Sequence, residues 1–265
     1  MLQASPSTRR KEAPPAGDLR LVGADRVLAV LAELARHPDG IGLAELSRVV
    51  DSPKPTVHRA LASLRRAGFA RQDGRGRYVL GDELMRLAFA NHEARPEHLR
   101  VQEALRALCD EFGETVHYAV LDDGDVVYRA KIDPPVGAMK LTSTIGGRSP
   151  AHCTAVGKLL LAYTLPDDTG VDAWLAGRAL EPRTDRSPVT AQAIKAELTA
   201  ARGAGYAVDD QQNEIGINCI AVPVWLTSSE VPVGAISVSA LAHRAPLTDL
   251  VDNVARIQSI VQANL

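Results

Sequence analysis

The chain has 265 residues, 46% of them hydrophobic and 23% charged, with a formal net charge of -2, which is enough apolar material for one large core or two smaller ones and excludes an unfolded polyelectrolyte. Three widely spaced cysteines, Cys109, Cys153 and Cys219, make neither a disulfide framework nor a paired metal clip. No run approaches the roughly eighteen apolar residues of a membrane span, so a soluble protein of a reducing cytoplasm, with no membrane partner, is expected.

Charge is unevenly divided. Residues 1–95 hold sixteen Lys or Arg against eleven Asp or Glu, and the remainder fourteen against twenty-one. A basic part that meets a polyanion, nucleic acid ahead of an anionic membrane surface, is the reading of that asymmetry. Residues 1–18, rich in Pro, Ser, Ala and charge, read as a disordered arm.

A first helix is predicted from Leu19 to Arg36, with Val27, Val30, Leu31 and Leu34 at helical spacing and "HPDGIG" as its stop. Leu43 to Val50 forms a short second helix with Leu43, Leu46 and Val50 on one face. Next comes "SPKPTVHRALASLRRAGF". Ser52 suits an N-cap, and Pro53 and Pro55 fall in the first turn, where backbone N–H groups have no intrahelical acceptor and the fixed φ of proline already fits. At 100° per residue, Val57, Ala60, Leu61 and Leu64 share one face of this third helix. Thr56, His58, Arg59, Ala62, Ser63 and Arg66 lie on the other face or its flanks.

Gly68 ends the helix, and two short runs around "DGRGR" read as a hairpin with Arg71, Arg75 and Arg77 in or near its tip. Helix, helix, turn, helix, hairpin is the order of a winged helix-turn-helix. Its third helix enters a major groove about 12 Å wide while the wing arginines meet phosphates. The candidate DNA-binding residues are Lys54, Thr56, His58, Arg59, Ser63, Arg66, Arg75 and Arg77, on a domain spanning residues 19–81.

Residues 82–97 read as a linker helix with Leu84, Leu87 and Ala88 on one side, ended near Pro96. Residues 98–265 form the second domain. It begins with a helix from Leu99 to Phe112, followed by two alternating strands in "TVHYAVLDDGDVVYRAKI" and a strand from Met139 to Thr144. The second half of "IGGRSPAHCTAVGKLLLAYTL" is helical. Helices at Thr169 to Leu175 and Ala191 to Arg202, strands at Ile220 to Trp225 and Val233 to Ser239, and an amphipathic helix from Leu247 to Gln262 complete the chain. Hairpins outnumber βαβ crossovers, so the class is α+β on an antiparallel sheet, without a Rossmann arrangement.

Three stretches, "AELSRVVDSPKPTVHRALASLRRAGF", "GGRSPAHCTAVGKLLLAY" and "GYAVDDQQNEIGINCIAVPV", in this order and spacing, resemble the IclR family of transcriptional regulators from about Leu21 to the C-terminus. The resemblance implies an N-terminal winged helix on a partly palindromic operator, a linker helix and a C-terminal effector-binding domain akin to GAF-type sensors. Assembly as a homodimer, or as a homotetramer of two dimers, is implied with it. It also implies an effector pocket. Ala155 and Val156, at the head of a helix, offer backbone N–H groups to a carboxylate. Asp209, Cys219, Ser237 and Ser239 supply polar contacts, and Leu141 and Ile217 an apolar wall. Ser237 and Ser239, two apart on a strand, share a face whatever the family. The chain departs from the family pattern at Pro55, which lacks the N–H and hydroxyl for a phosphate contact and leaves that role to Thr56 or Lys54, and at Gly42, a weaker helix cap than Ser or Thr.

The function expected is that of a one-component regulator, a repressor in the simplest case, whose grip on its operator is modulated by a small carboxylated metabolite, with no cofactor and no catalysis. "AHCTAVGK" is not a phosphate loop, because that motif needs Gly where His152 stands and Ser or Thr where Leu159 stands. Two alternatives stay open from residues alone. One is a metal-responsive repressor using His152, Cys153, Asp209 and Cys219, whose types suit zinc. The other is a metabolite-binding enzyme with Cys153 as nucleophile and a basic accessory domain.

Overall fold

The computed structural model describes residues 23–93, 97–135, 141, 143–226 and 231–265, with backbone alone at 91–93 and 97–99. The arm predicted at residues 1–18 lies outside the described residues. The chain divides between Ala94 and Arg95 into two compact units.

The first unit comprises α1 (Ala24–Arg36), α2 (Leu43–Val49), α3 (Lys54–Arg66), the hairpin β1 (Ala70–Gln72) and β2 (Tyr78–Leu80), and α4 (Asp82–Glu93). Of the positions the periodicity selects, Val30 and Leu34 of α1, Leu46 of α2, Val50 after it, and Val57, Ala60, Leu61 and Leu64 of α3 form the core, closed by Ile41, Ala70 and Tyr78, with Val27, Leu31 and Leu43 partly buried against it. Ile41 and Tyr78 exchange both backbone hydrogen bonds, at 2.9 Å each, which ties the turn after α1 to the wing.

The start of α3 differs from the sequence reading. Pro53 caps the helix and Pro55 sits in its first turn. The Pro53 carbonyl accepts the N–H groups of Thr56 at 2.8 Å and Val57 at 3.1 Å. Ser52 is not the cap: its buried hydroxyl donates to the Val50 carbonyl at 3.1 Å and accepts from Arg26 Nε at 3.0 Å, pinning the α2–α3 turn to α1. Gly42 heads α2 with no side-chain cap, as the residue type dictates.

The second unit is a six-stranded antiparallel sheet with helices on both faces. Its elements are α5 (Glu97–Phe112), β3 (Thr115–Asp122), β4 (Asp125–Ile132), β5 (Arg148–Pro150), α6 (Ala155–Thr164), α7 (Asp168–Leu175), α8 (Ala191–Ala204), β6 (Ala207–Asp210), β7 (Ile217–Val224), β8 (Gly234–Leu241), α9 (Leu247–Asp252) and α10 (Val254–Ala263). Strand order is β5-β4-β3-β8-β7-β6. Alternation divides the side chains. Val116, Tyr118, Ile220, Val222, Ile236 and Val238 pack with α5 and α10, whereas Ala119, Tyr128, Ala207, Ala221 and Ala235 pack with α6 and α8. Helix α6 is buried from Ala155 to Ala162 because the sheet and α8 enclose it.

Leu141, Ser143 and Thr144, the described residues of the strand predicted at Met139 to Thr144, are not in a strand. The Lys131 ammonium donates to the Leu141 carbonyl at 2.8 Å and the Ser143 carbonyl at 2.9 Å, so these acceptors are turned to a side chain and away from a ladder. Arg148–Pro150 extends the sheet instead, against Asp125–Val127. The long closing helix is two helices: Asn253 Nδ2 donates to the Asp249 carbonyl at 2.7 Å and the chain turns there.

Gly157, in the first turn of α6, has room for nothing larger: a Cβ would stand 2.3 Å from the Ala151 carbonyl oxygen. Helix propensity alone favours Gly157→Ala by about 1 kcal/mol, yet overpacking against fixed backbone costs about 1–3 kcal/mol. The variant is therefore expected to melt below the parent in a thermal unfolding scan, and a higher midpoint would contradict this packing.

Candidate functional site

Helix α3 is two-sided in space as it is in sequence. Lys54, His58, Arg59 and Arg66 are exposed and Thr56 and Ser63 half-buried, while the leucine side faces α1 and α2. Arg66 Nη2 lies 3.4 Å from Ser63 Oγ, so its only described contact is a weak one within the same face. The wing is preorganised: Asp73 Oδ1 accepts the backbone N–H groups of Arg75 at 2.9 Å and Arg77 at 2.7 Å, and Gly76 takes φ 78°, where glycine has no steric penalty. Arg75 projects from this tip and is exposed. Arg77 is placed differently from Arg75, half-buried with its guanidinium donating to the Gly40 carbonyl.

In the second unit a cavity of about 230 Å3 opens on the α6 side of the sheet. Register builds its floor, with Asp209 of β6 opposite Cys219 of β7, and Cys219 opposite Ser239 of β8. Leu141 and Ile217 also line it. Five of the eight residues expected in a pocket thus meet there. Of the other three, Ala155 and Val156 are 2% exposed at the head of α6, and Ser237 is buried one pair further along β8, beside Ala221 and His117. Ser237 does share the face of Ser239, as their spacing required. Helix α6 does begin at Ala155, capped by Thr154, whose hydroxyl accepts the Gly157 N–H at 3.1 Å.

Burial pushes the titratable groups of the walls toward their uncharged forms. Burial raises the Asp209 carboxyl to about 7, although the N–H groups of Gln212 and Asn213 and the Lys158 ammonium all favour its ionised form. Burial, reinforced by Lys131, lowers His117 to about 4, so at neutral pH its ring is neutral. His117 Nε2 lies 2.7 Å from Ser143 Oγ and its Nδ1 3.5 Å from Ser239 Oγ. Tyr128, with its ring centroid 4.9 Å from that of His117, is raised to about 12 by burial. Burial likewise pushes the Cys219 thiol upward, and the part of Cys219 that remains accessible faces the cavity.

Sequence reasoning missed His117, Tyr128 and Arg183, all lining residues. A titratable ring inside the apolar strand "TVHYAV" was a readable signal for His117. Arg183 comes from the loop between α7 and α8, for which no local pattern exists. The alternatives fare differently. Cys153 is 0% exposed with its thiol raised by burial, the state of an inert core cysteine. His152 Nε2 lies 3.2 Å from the Glu181 carbonyl, and among the described residues no group of three or more His, Cys, Asp or Glu is placed to hold a metal ion. No described helix is long and apolar enough to cross a membrane.

With its leucines docked and its arginines open, α3 is built as a recognition helix, and the first unit is that of a winged-helix DNA-binding protein. Residues 23–74 match the IclR helix-turn-helix domain, and residues 98–263 match the C-terminal domain of the bacterial transcriptional regulator IclR. The chain belongs to the IclR family of DNA-binding transcriptional regulators, and is a regulator and not an enzyme. It is 30% identical over 225 residues to the Pca regulon regulatory protein of Pseudomonas putida, covering 85% of this chain and 76% of that protein. It is also 30% identical over 236 residues to the transcriptional repressor IclR of Escherichia coli, covering 88% and 84%. The fold is shared with an IclR homologue from Microbacterium hydrocarbonoxydans complexed with 4-hydroxybenzoate, at TM-score 0.71 and 20% identity over 89% of this chain and 99% of that one.

The raised Asp209 carboxyl has a signed consequence for stability. Unfolded, an aspartate titrates near about 3.9, and folded this one titrates at about 7, so its protonated form favours the fold. That contribution is complete below pH 4 and is lost as pH rises through 7. Asp209→Asn, neutral throughout, is therefore expected to gain stability relative to the parent between pH 5 and pH 8 and to level off above. Urea unfolding at several pH values measures the difference; a flat one would place Asp209 at an ordinary carboxylate value.

Proposed function

We propose that α3 reads base edges in the major groove of a partly palindromic operator through Arg59, Arg66, His58 and Ser63, while Lys54, Thr56 and Arg75 contact phosphates. The second unit holds a small carboxylated effector in the cavity above Asp209, Cys219 and Ser239. The observation that carries this reading is the pairing of an exposed arginine face on α3 with a cavity whose inner groups, Tyr128, His117, Cys219 and Ser239, offer hydrogen bonds without net charge. A cavity of about 230 Å3 is small beside the 300–1,000 Å3 or so of drug-sized pockets, which supports a metabolite of a few heavy atoms. The Microbacterium homologue, complexed with 4-hydroxybenzoate, supports the carboxylate but not the small size.

The effector acts by binding one arrangement of the protein more tightly than another, with a coupling of about 1–3 kcal/mol typical of such switches. Two copies of the chain occupy the two half-sites in this reading, and the protein works in the cytoplasm. Whether it represses or activates follows from where its operator lies relative to a promoter.

A genome-wide footprint of the protein identifies the operator, and fluorescence anisotropy on that DNA tests the assignment. Arg59→Ala or Arg66→Ala is expected to relax preference at one base pair by about 1–3 kcal/mol; binding unchanged in both variants rejects the face. Arg75→Ala is expected to weaken all sequences alike and to lower the salt slope by about one. A loss confined to a single base pair would contradict its phosphate role. Ser239→Ala is expected to blunt the response to the effector while operator affinity without effector is retained.

A further inference from the structure

We infer that a cavity at the open edge of the sheet, beside the C-terminal ends of α6 and α10, is a second ligand site, and that it takes an uncharged, hydroxyl-rich molecule the size of a sugar. It shares no lining residue with the cavity above Asp209, so the inference goes beyond the effector reading and does not depend on it.

The edge is left open by register. The Gln211 N–H donates to the Ile217 carbonyl at 3.1 Å, which turns Ile217 toward β6, and the Val233 N–H donates to the Val224 carbonyl at 3.0 Å, which turns Val224 toward β8. Alternation along an antiparallel strand then directs Pro223, like Ile217, to the β6 side. Strand β6 begins at Ala207, opposite Ala221, and so stops short of Pro223. The Pro223 carbonyl is left without a ladder partner on the side where Gly205 and Pro223 line the cavity. An added strand is not the occupant: proline supplies no N–H, and the uncovered stretch, residues 222–224, is shorter than the about five or six residues of an ordinary strand.

The lining sets the chemistry of the ligand. A cavity of about 490 Å3 falls within the 300–1,000 Å3 or so of small-molecule sites. Tyr163 and Trp225 form an aromatic corner, meeting edge to face at 5.3 Å between centroids and 89°, and Trp225 is 40% exposed, more than an indole commonly leaves in water. Gln258 and Gln262, four apart on α10, share a face and both line the cavity. Each carboxamide donates and accepts at once, and neither has a hydrogen-bond partner among the described residues. Among the described residues no charged side chain lines the cavity. Amides, a bare carbonyl and an aromatic corner suit a ring whose hydroxyls also donate and accept and whose C–H faces pack on aromatics. An ion would be desolvated there with no countercharge.

The test is calorimetric titration of the full chain with glucose, xylose and maltose, with glucuronate as a charged counterpart and benzyl alcohol as an apolar one. At least one sugar is expected to bind at least tenfold more tightly than glucuronate or benzyl alcohol, and to shift the emission of Trp225 read in Trp174→Phe protein. Trp225→Ala is expected to weaken that sugar at least fivefold, and so is Gln262→Ala, which changes an exposed helix position and is expected to keep the thermal unfolding midpoint of the parent. Parent protein that binds none of the sugars overturns the inference, as does glucuronate or benzyl alcohol bound as tightly as any sugar. Sugar binding that survives both substitutions overturns it too, and weakening by Ser239→Ala in their place puts the sugar in the other cavity. Trp225 emission that becomes shielded from iodide only as the chain self-associates makes a second copy the occupant, which equally overturns it.

Discussion

A lysine ammonium with no exposed surface organises the second unit. Lys158 projects from α6 to Glu197 of α8 at 2.8 Å and to the Gln212 side chain, and Gln212 donates to Glu197 at 2.8 Å. A buried charge is tolerated only when its partners satisfy it. Two helices and the turn after β6 are thereby held in one geometry. That turn sends the N–H of Gln212 to Asp209 at 2.7 Å and that of Asn213 at 3.3 Å, so the floor of the cavity takes its shape from an ion pair behind it. Removing the ammonium would strand Glu197 and release the turn at once.

The cavity inverts the arrangement of the rest of the surface. Elsewhere in the unit ion pairs such as Arg256 with Glu111 and Lys195 with Asp172 sit in water and contribute little to stability. Within the cavity, burial holds Tyr128, His117 and Cys219 neutral, and the lining also carries Arg148, Arg183, Glu214 and the Asp209 carboxyl raised to about 7. A ligand entering such a site exchanges water for directed hydrogen bonds. Discrimination then lies in the placement of donors, because an unmatched buried polar group is costly.

The first unit solves a different problem with ordinary means. Its small core, closed by Ile41, Ala70 and Tyr78, needs only one face of α3, which leaves the other free to carry Arg59 and Arg66 into solvent. Asp73 fixes the tip of the wing through backbone N–H groups, so Arg75 is presented on a rigid turn while its own side chain stays free.

The sequence by itself determined what depends on neighbours along the chain. Periodicity picked Val57, Ala60, Leu61 and Leu64 as the docked side of α3, "DGRGR" marked the wing, and the pattern of hairpins implied an antiparallel sheet. Tertiary structure decided whatever depended on a partner far away in the chain. Ser52 became a staple to Arg26 because α1 lies beside it, and Arg77 turned to Gly40. Leu141 and Ser143 surrendered their carbonyls to Lys131 in place of a strand. Asp209, Cys219 and Ser239 were readable as a set, yet only strand register could seat His117 and Tyr128 with them, and only the packing of a loop could bring Arg183 to the opening. Local signals fix φ, ψ and facing, whereas the meeting of residues a hundred positions apart is set by which surfaces bury each other, and no short stretch encodes that.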